Sequence, residues 1–150
     1  MRALMCGLLV TCLADQAVAL GREVGYEEAR ERFANLRQVV ECGTRQFGER
    51  IAELRLLRFT MYAQDLIFVD SVLPDDAGEN WQVERGYGFV EINNDHAEMG
   101  FSRLSCSSDD HSRVTVEGLA ENGHDQSSWK VRIDLDLDSG TYRYEAQPAE

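Results

Sequence analysis

Serine, aspartate and histidine occur close together in the segment S-C-S-S-D-D-H at residues 105–111. These are the residue types of nucleophilic hydrolysis, in which histidine takes the serine proton and aspartate orients the histidine. Such a triad is normally assembled across a fold, and the chain has no G-x-S-x-G elbow that would expose a serine. We therefore predict no catalytic residues, and we keep as an alternative a small envelope hydrolase that uses the loop at 105–111, with Ser105, Ser107, Ser108, Asp110 and His111.

The segment DLDLDSGTYRYE, Asp134–Glu145, has acidic residues at the first, third, fifth and twelfth positions of a calcium-binding EF-hand loop. That loop needs glycine at its sixth position, where this chain has Ser139. The flanking residues alternate between apolar and polar, which is typical of strands. The pattern therefore predicts a hairpin with its turn at residues 138–140.

The histidines give no dense ligand motif such as HExxH, although each has an aspartate beside it in the sequence. They are His96, His111 and His124. All three fall in predicted turns or loops, where solvated histidines are common. We predict neither a metal site nor a cofactor.

Cys42 and Cys106 are the two cysteines outside the N-terminal segment. There is no C-x-x-C pair, which argues against a thioredoxin-like redox site or a cysteine-ligated zinc site. In an exported chain a cysteine pair is most simply a disulfide. We predict a structural Cys42–Cys106 bond.

Tyrosine and tryptophan side chains occur near the predicted strand starts and hairpin ends. These residue types are enriched at binding surfaces, although they also pack within sheets. The candidate binding surface consists of Trp81, Tyr87, Trp129, Tyr142 and Tyr144.

An amphipathic helix is predicted near the start of the chain, ending at Gly43. Apolar residues recur there at spacings of three and four: Tyr26, Ala29, Phe33, Leu36 and Val40. Residues 49–63 fit either a helix or a strand, and the β-forming residues that follow at 65–69 favour a strand. Residues 74–80 then read as a turn.

From Trp81 onward the alternation of apolar and polar residues predicts successive strands joined by short polar turns. They cover residues 81–92, 97–106, 113–120, 129–137 and 141–146. The connections are too short for helical crossovers, so the strands should be antiparallel. The fold class predicted is α+β, with the N-terminal helix packed on an antiparallel meander of about five or six strands. A small closed β-barrel is the alternative.

The first residues have the order of a secretory signal peptide: Arg2, an apolar core, and the small residues Ala17-Val18-Ala19. The apolar core is shorter than the roughly 20 residues of a transmembrane helix. We predict cleavage after Ala19, a single exported domain at 20–150 in the periplasm or outside the cell, and no transmembrane segment after cleavage. Leu9 to Cys12 resembles a lipobox, so lipid anchoring through Cys12 is the alternative.

The formal net charge of −12 repels nucleic acid and attracts cationic proteins. The expected function is therefore that of a small exported, non-catalytic binding protein whose partner is another protein or an envelope component. Inhibition of a cationic enzyme is a more specific form of this hypothesis. A structural accessory subunit of an envelope assembly is the third alternative.

Overall fold

The computed structural model describes residues 21–109 and 112–149. The predicted signal peptide, the lipidation site at Cys12, and Asp110 and His111 lie outside the described residues. The described chain contains one short helix, a 3-10 turn and eight strands. They are α1 (Tyr26–Glu31), the 3-10 turn (Phe33–Asn35), β1 (Leu36–Phe47), β2 (Arg50–Met61), β3 (Gln64–Pro74), β4 (Trp81–Gly88), β5 (Met99–Ser108), β6 (Arg113–Asn122), β7 (Ser128–Asp136) and β8 (Tyr142–Pro148).

The strands form two antiparallel sheets, with the order β1-β2-β3-β4 in the first sheet and β5-β6-β7-β8 in the second. The predicted fold class is therefore wrong: the protein is mainly β, neither a helix on one meander nor a closed barrel. The predicted hairpin between 81–92 and 97–106 does not form, because β4 pairs with β3 and β5 pairs with β6. Residues 89–98 instead carry the chain from one sheet to the other.

A buried asparagine fixes this crossing. Asn93 is fully buried, and its amide donates to the carbonyl oxygen of Ile67 at 2.6 Å. Its carbonyl oxygen accepts from the amide nitrogen of Ile67 at 2.8 Å. The side chain thus satisfies both backbone groups of a β3 residue, as an adjacent strand would. The crossing segment is held against the first sheet, and the next strand begins in the second.

The predicted N-terminal helix is also much shorter than its apolar spacing indicates. It ends at Glu31, Phe33 is 72% exposed, and Leu36 already begins β1. The residues from Leu36 to Cys42 alternate in burial, and Val39 and Val40 are β-branched. Pairing with β2 satisfies their backbone groups and overrides the helical spacing. The preference for a strand in 49–63 is confirmed by β2.

The main core lies between the two sheets. Inward-facing side chains of the first sheet, such as Leu56 and Val69, pack with Val116, Ile133 and Leu135 of the second. A second core lies on the outer face of the first sheet, where α1 and the residues before it cover the strands. It contains Val24, Tyr26, Ala29, Leu57, Phe59, Met61, Leu66 and Phe68. As a result, β3 is buried on both faces.

An ionic cluster fastens α1 to the first sheet. Asp70 is fully buried and accepts hydrogen bonds from the Tyr26 hydroxyl at 2.7 Å and from Nε and Nη2 of Arg55 at 2.9 and 2.7 Å. Burial, and then the bond to Asp70, raise the pKa of Tyr26 above its usual range. The Tyr26 ring lies against Gly86, where a Cβ atom would overlap it.

The predicted disulfide between Cys42 and Cys106 is present, with its Cα atoms 4.7 Å apart. It joins β1 to β5, so it ties the two sheets together rather than a helix to a sheet. Gly43, at the β1 bulge beside it, has a φ of +116°, which favours glycine. A disulfide fits a protein of the extracellular space or the periplasm. No helix within 21–109 and 112–149 has the length and apolar character needed to span a membrane.

Candidate functional site

The serines of the 105–111 segment do not converge in the structure. Ser105 is exposed on the outer face of the second sheet, whereas Ser108 lies against Gly43 of the first sheet. Both belong to β5, and an odd spacing along a strand turns side chains to opposite faces. The described part of this segment therefore gives no common nucleophile site, and the hydrolase stays an untested alternative.

The acidic segment at 134–145 is the predicted hairpin between β7 and β8. Asp136 accepts backbone N–H bonds from Ser139 at 2.8 Å and from Asp138 at 3.0 Å, and these bonds lower its pKa. The Asp136 carboxylate is therefore occupied by hydrogen bonds within the turn. His96 and His124 lie beside Asp95 and Glu98, respectively. No group of three metal-ligating side chains occurs among the described residues.

The five aromatic residues predicted as a binding surface lie in different environments. Tyr87 is buried and its hydroxyl donates to the carbonyl oxygen of Leu137 at 2.8 Å. Trp129, Tyr142 and Tyr144 are half-buried and pack against the main core. Only Trp81 among the five is strongly exposed, at 54%. The structure does not bring these side chains together on one surface.

Trp81 instead faces outward next to an exposed isoleucine. It pairs with Pro74 across β3 and β4, and the β2–β3 register continues to place Ile51 on the other side of Pro74. Glu53, opposite Val72, lies on the same outer face. Ile51 is 58% exposed, because α1 covers only the far end of this face. Adjacent strands are about 4.8 Å apart, so the backbones of Ile51 and Trp81 are about 10 Å apart.

We call this surface the Trp81 patch. It consists of Ile51, Pro74 and Trp81 with the neighbouring carboxylates Glu49, Glu53, Asp76 and Glu79.

The two hairpin tips that form the patch are held by local bonds. Asp75 accepts from the Asn80 side chain and from the backbone N–H of Glu79, both at 2.9 Å, and these bonds lower its pKa. Arg50 lies 3.8 Å from Asp76 and donates to the carbonyl oxygen of Pro74 at 3.4 Å. The tip of β3–β4 is therefore held by its own turn bonds, and Arg50 makes two long contacts to it from the tip of β1–β2.

The electrostatic potential of this end of the first sheet is negative. Residues 44–53 and 74–84 carry six carboxylates and two arginines. Both arginines are engaged, since Arg45 pairs with Asp138 and Arg50 lies beside Asp76. An exposed apolar pair surrounded by carboxylates can bury its side chains against a partner while the acids attract basic groups.

The fold and the site together define an antiparallel β protein of two sheets. One end of the first sheet carries exposed apolar side chains bordered by carboxylates. No family model, curated protein or solved structure matches the chain.

Proposed function

We propose that this chain is a small exported, non-catalytic binding protein that binds a cationic protein through the Trp81 patch. The observation that carries the proposal is the exposure of Trp81 and Ile51 on neighbouring hairpin tips bordered by carboxylates. Exposed tryptophans at the centre of an interface commonly contribute about 2 kcal/mol or more to binding. Apolar side chains grouped in one patch mark interaction sites more often than scattered ones do.

The carboxylates around the patch determine which partners are favoured. Side chains at the rim of an interface act mainly on the association rate and on its salt dependence. A basic partner is attracted and an acidic one is repelled, in keeping with the net charge of −12. Inhibition follows if the basic partner is an enzyme whose cleft is covered when it docks.

The same patch also serves the alternative function, that of an accessory subunit in an envelope assembly. The two functions differ in the lifetime of the complex. An accessory subunit stays bound to its assembly after extraction, whereas an inhibitor dissociates from its partner and binds again. Export to the periplasm or the medium is supported by the disulfide and by the predicted signal at 1–19. Anchoring through Cys12 would keep the same patch at the membrane surface.

The test is capture from the extracytoplasmic fraction of the source cells on immobilised protein, followed by affinity measurement with the isolated partner. We expect a basic partner that binds wild type and is lost with Trp81→Ala combined with Ile51→Ser. Neutralising Glu53 and Glu79 to glutamine should slow association. The matched control is Phe33→Ala, which removes the most exposed aromatic side chain outside the patch.

Two results would refute the proposal. One is the absence of any partner at both low and moderate salt. The other is a partner retained equally by wild type and by the variant changed at Trp81 and Ile51.

A further inference from the structure

The outer face of the second sheet, opposite to the main core, is turned to solvent and carries a groove of about 580 Å³. This volume lies within the range of about 300–1,000 Å³ that is typical of small-molecule sites. The groove crosses all four strands, since its lining residues come from β5, β6, β7 and β8.

The register of the strands places two cations in one row across the groove. Arg103 pairs with Leu119, and Leu119 pairs with Lys130. Leu119 therefore lies between the two cations, whose backbones are about 10 Å apart at the usual strand spacing. The side chains of arginine and lysine are long enough to converge on one bound group from that distance.

Both carboxylates of the groove have an arginine partner. Glu117 pairs with Arg132 at 2.7 Å, an arginine that also pairs with Asp134 at 2.8 Å, and Glu145 pairs with Arg143. Arg103 and Lys130 make no ion pair within 4.0 Å in the described ranges. The groove therefore has a local excess of positive charge, although the chain as a whole carries −12.

The apolar part of the lining is Leu119, with the methylene stems of Arg103 and Lys130 on either side of it. Leu104, Gly118 and Val131 line only the floor of the groove, because they lie on the opposite face of their strands and Leu104 and Val131 pack in the main core. Positive groups beside an apolar wall suit a ligand that has an oxyanion at one end and hydrocarbon at the other. Arginine can hold a carboxylate or phosphate through two parallel hydrogen bonds.

We propose that this groove binds a small anionic amphiphile, a carboxylate or phosphate monoester on an apolar chain, with its oxyanion between Arg103 and Lys130. The apolar chain lies along Leu119. This site is on the outer face of the second sheet and the Trp81 patch is on that of the first. A negative result at one of these two sites therefore does not bear on the proposal for the other.

The experiment titrates the isotopically labelled chain with octanoate and with octyl phosphate, using amide chemical shifts to locate binding and calorimetry to measure it. Octyl glucoside is the neutral amphiphile, and inorganic phosphate is the anion without an apolar chain. We expect the amides of Arg103, Leu119 and Lys130 to shift with either octyl anion. A preference for one of them identifies the head group as carboxylate or phosphate.

Changing Arg103 and Lys130 together to glutamine should weaken binding at least about tenfold, because the hydrogen bonds between two charged cations and the oxyanion are lost. The single change Lys130→Gln should give a smaller loss, and both variants should keep the wild-type spectrum elsewhere. The control is Arg37→Gln, an exposed arginine on the first sheet, which should bind as wild type does.

The proposal is overturned if neither octyl anion shifts these amides, or if octyl glucoside binds as tightly as the anions. It is also overturned if the double variant binds like wild type. Equal affinity for inorganic phosphate and octyl phosphate would show that the apolar chain contributes nothing to binding, which contradicts the proposed class of ligand.

Discussion

Asp70 is the residue whose replacement should destabilise the fold most clearly among the polar side chains. It is fully buried and accepts three hydrogen bonds, one from Tyr26 and two from Arg55. The Asp70→Asn substitution keeps the shape of the side chain but removes its negative charge. It also points an amide N–H group at a hydrogen-bond donor, either the Tyr26 hydroxyl or the Arg55 guanidinium. The guanidinium of Arg55 is then left beside a neutral group.

The expected cost follows from these contacts. Removing one partner of a buried ion pair typically costs about 3–5 kcal/mol. The Arg55 side chain is 32% exposed, so water can solvate part of its charge, and we expect the lower end, about 3 kcal/mol. Tyr26→Phe removes a single bond to a charged group and should cost about 1.5–3 kcal/mol. Because both changes act on one cluster, the double variant should lose less than the sum.

Urea unfolding followed by tryptophan fluorescence and by circular dichroism measures these losses, with coincident transitions as the check on two-state behaviour. The slope of the free energy against urea should stay unchanged, so that the midpoint reports stability alone. Glu27→Gln serves as the control because its partner Arg30 is exposed, and exposed pairs contribute little. A loss in Asp70→Asn no larger than that of Glu27→Gln would refute the assignment of the cluster as the fastening of α1. Strictly additive losses of the Tyr26 and Asp70 variants would refute the coupling.

The disulfide, two turns and one tyrosine give further predictions. Replacing Cys42 and Cys106 by serine should cost about 4 kcal/mol by the loop-entropy relation for a separation of 64 residues; an unchanged urea midpoint would contradict this. Tyr62 and Ala63, in the turn between β2 and β3, both have left-handed φ angles, so Ala63→Gly should stabilise the folded protein by roughly 0.5–1 kcal/mol. Gly78, in the turn between β3 and β4, has a φ of +72°, so Gly78→Ala should destabilise the protein in the same urea assay. The pKa of Tyr26 in the folded protein is raised above its usual 10.0. The neutral Tyr26 hydroxyl therefore contributes fully to the stability of the fold below about pH 10, and this contribution declines as the pH rises further. Tyr26→Phe should therefore flatten the alkaline fall in stability, and identical slopes for variant and wild type would contradict that.

The sequence predicts where most of the strands lie, because burial on one face imposes a period of two along the chain. The clearest case is β7, in which Val131, Ile133 and Leu135 face the core and Arg132 faces solvent. The assignment of strands to two sheets is not encoded in this period. It depends on the contact of Asn93 with Ile67, and nothing local distinguishes that asparagine from an ordinary turn residue.

The candidate sites show the same division. Residue type selects Trp81 only together with four other aromatic residues, which the structure places in or against the main core: Tyr87, Trp129, Tyr142 and Tyr144. Ile51 could not be added, because its position beside Trp81 depends on the register of three strands. The row that joins Arg103 to Lys130 through Leu119 likewise exists only once β5, β6 and β7 are aligned.

The two surfaces carry opposite local charge, which leads to a difference in salt dependence. At physiological ionic strength charges are screened over about 8 Å, less than the roughly 10 Å between stacked sheets, so each surface acts largely through its own charges. At low salt the net charge of −12 reaches further, attracting a cationic protein to the Trp81 patch and opposing an anion in the groove. Added salt should therefore weaken the protein complex steadily. It should change octyl phosphate binding little at first, because the long-range repulsion and the local attraction are screened together. Titrations of both ligands at low and physiological salt measure this, and an equally steep loss of affinity for both would show that the net charge does not act on the groove as described.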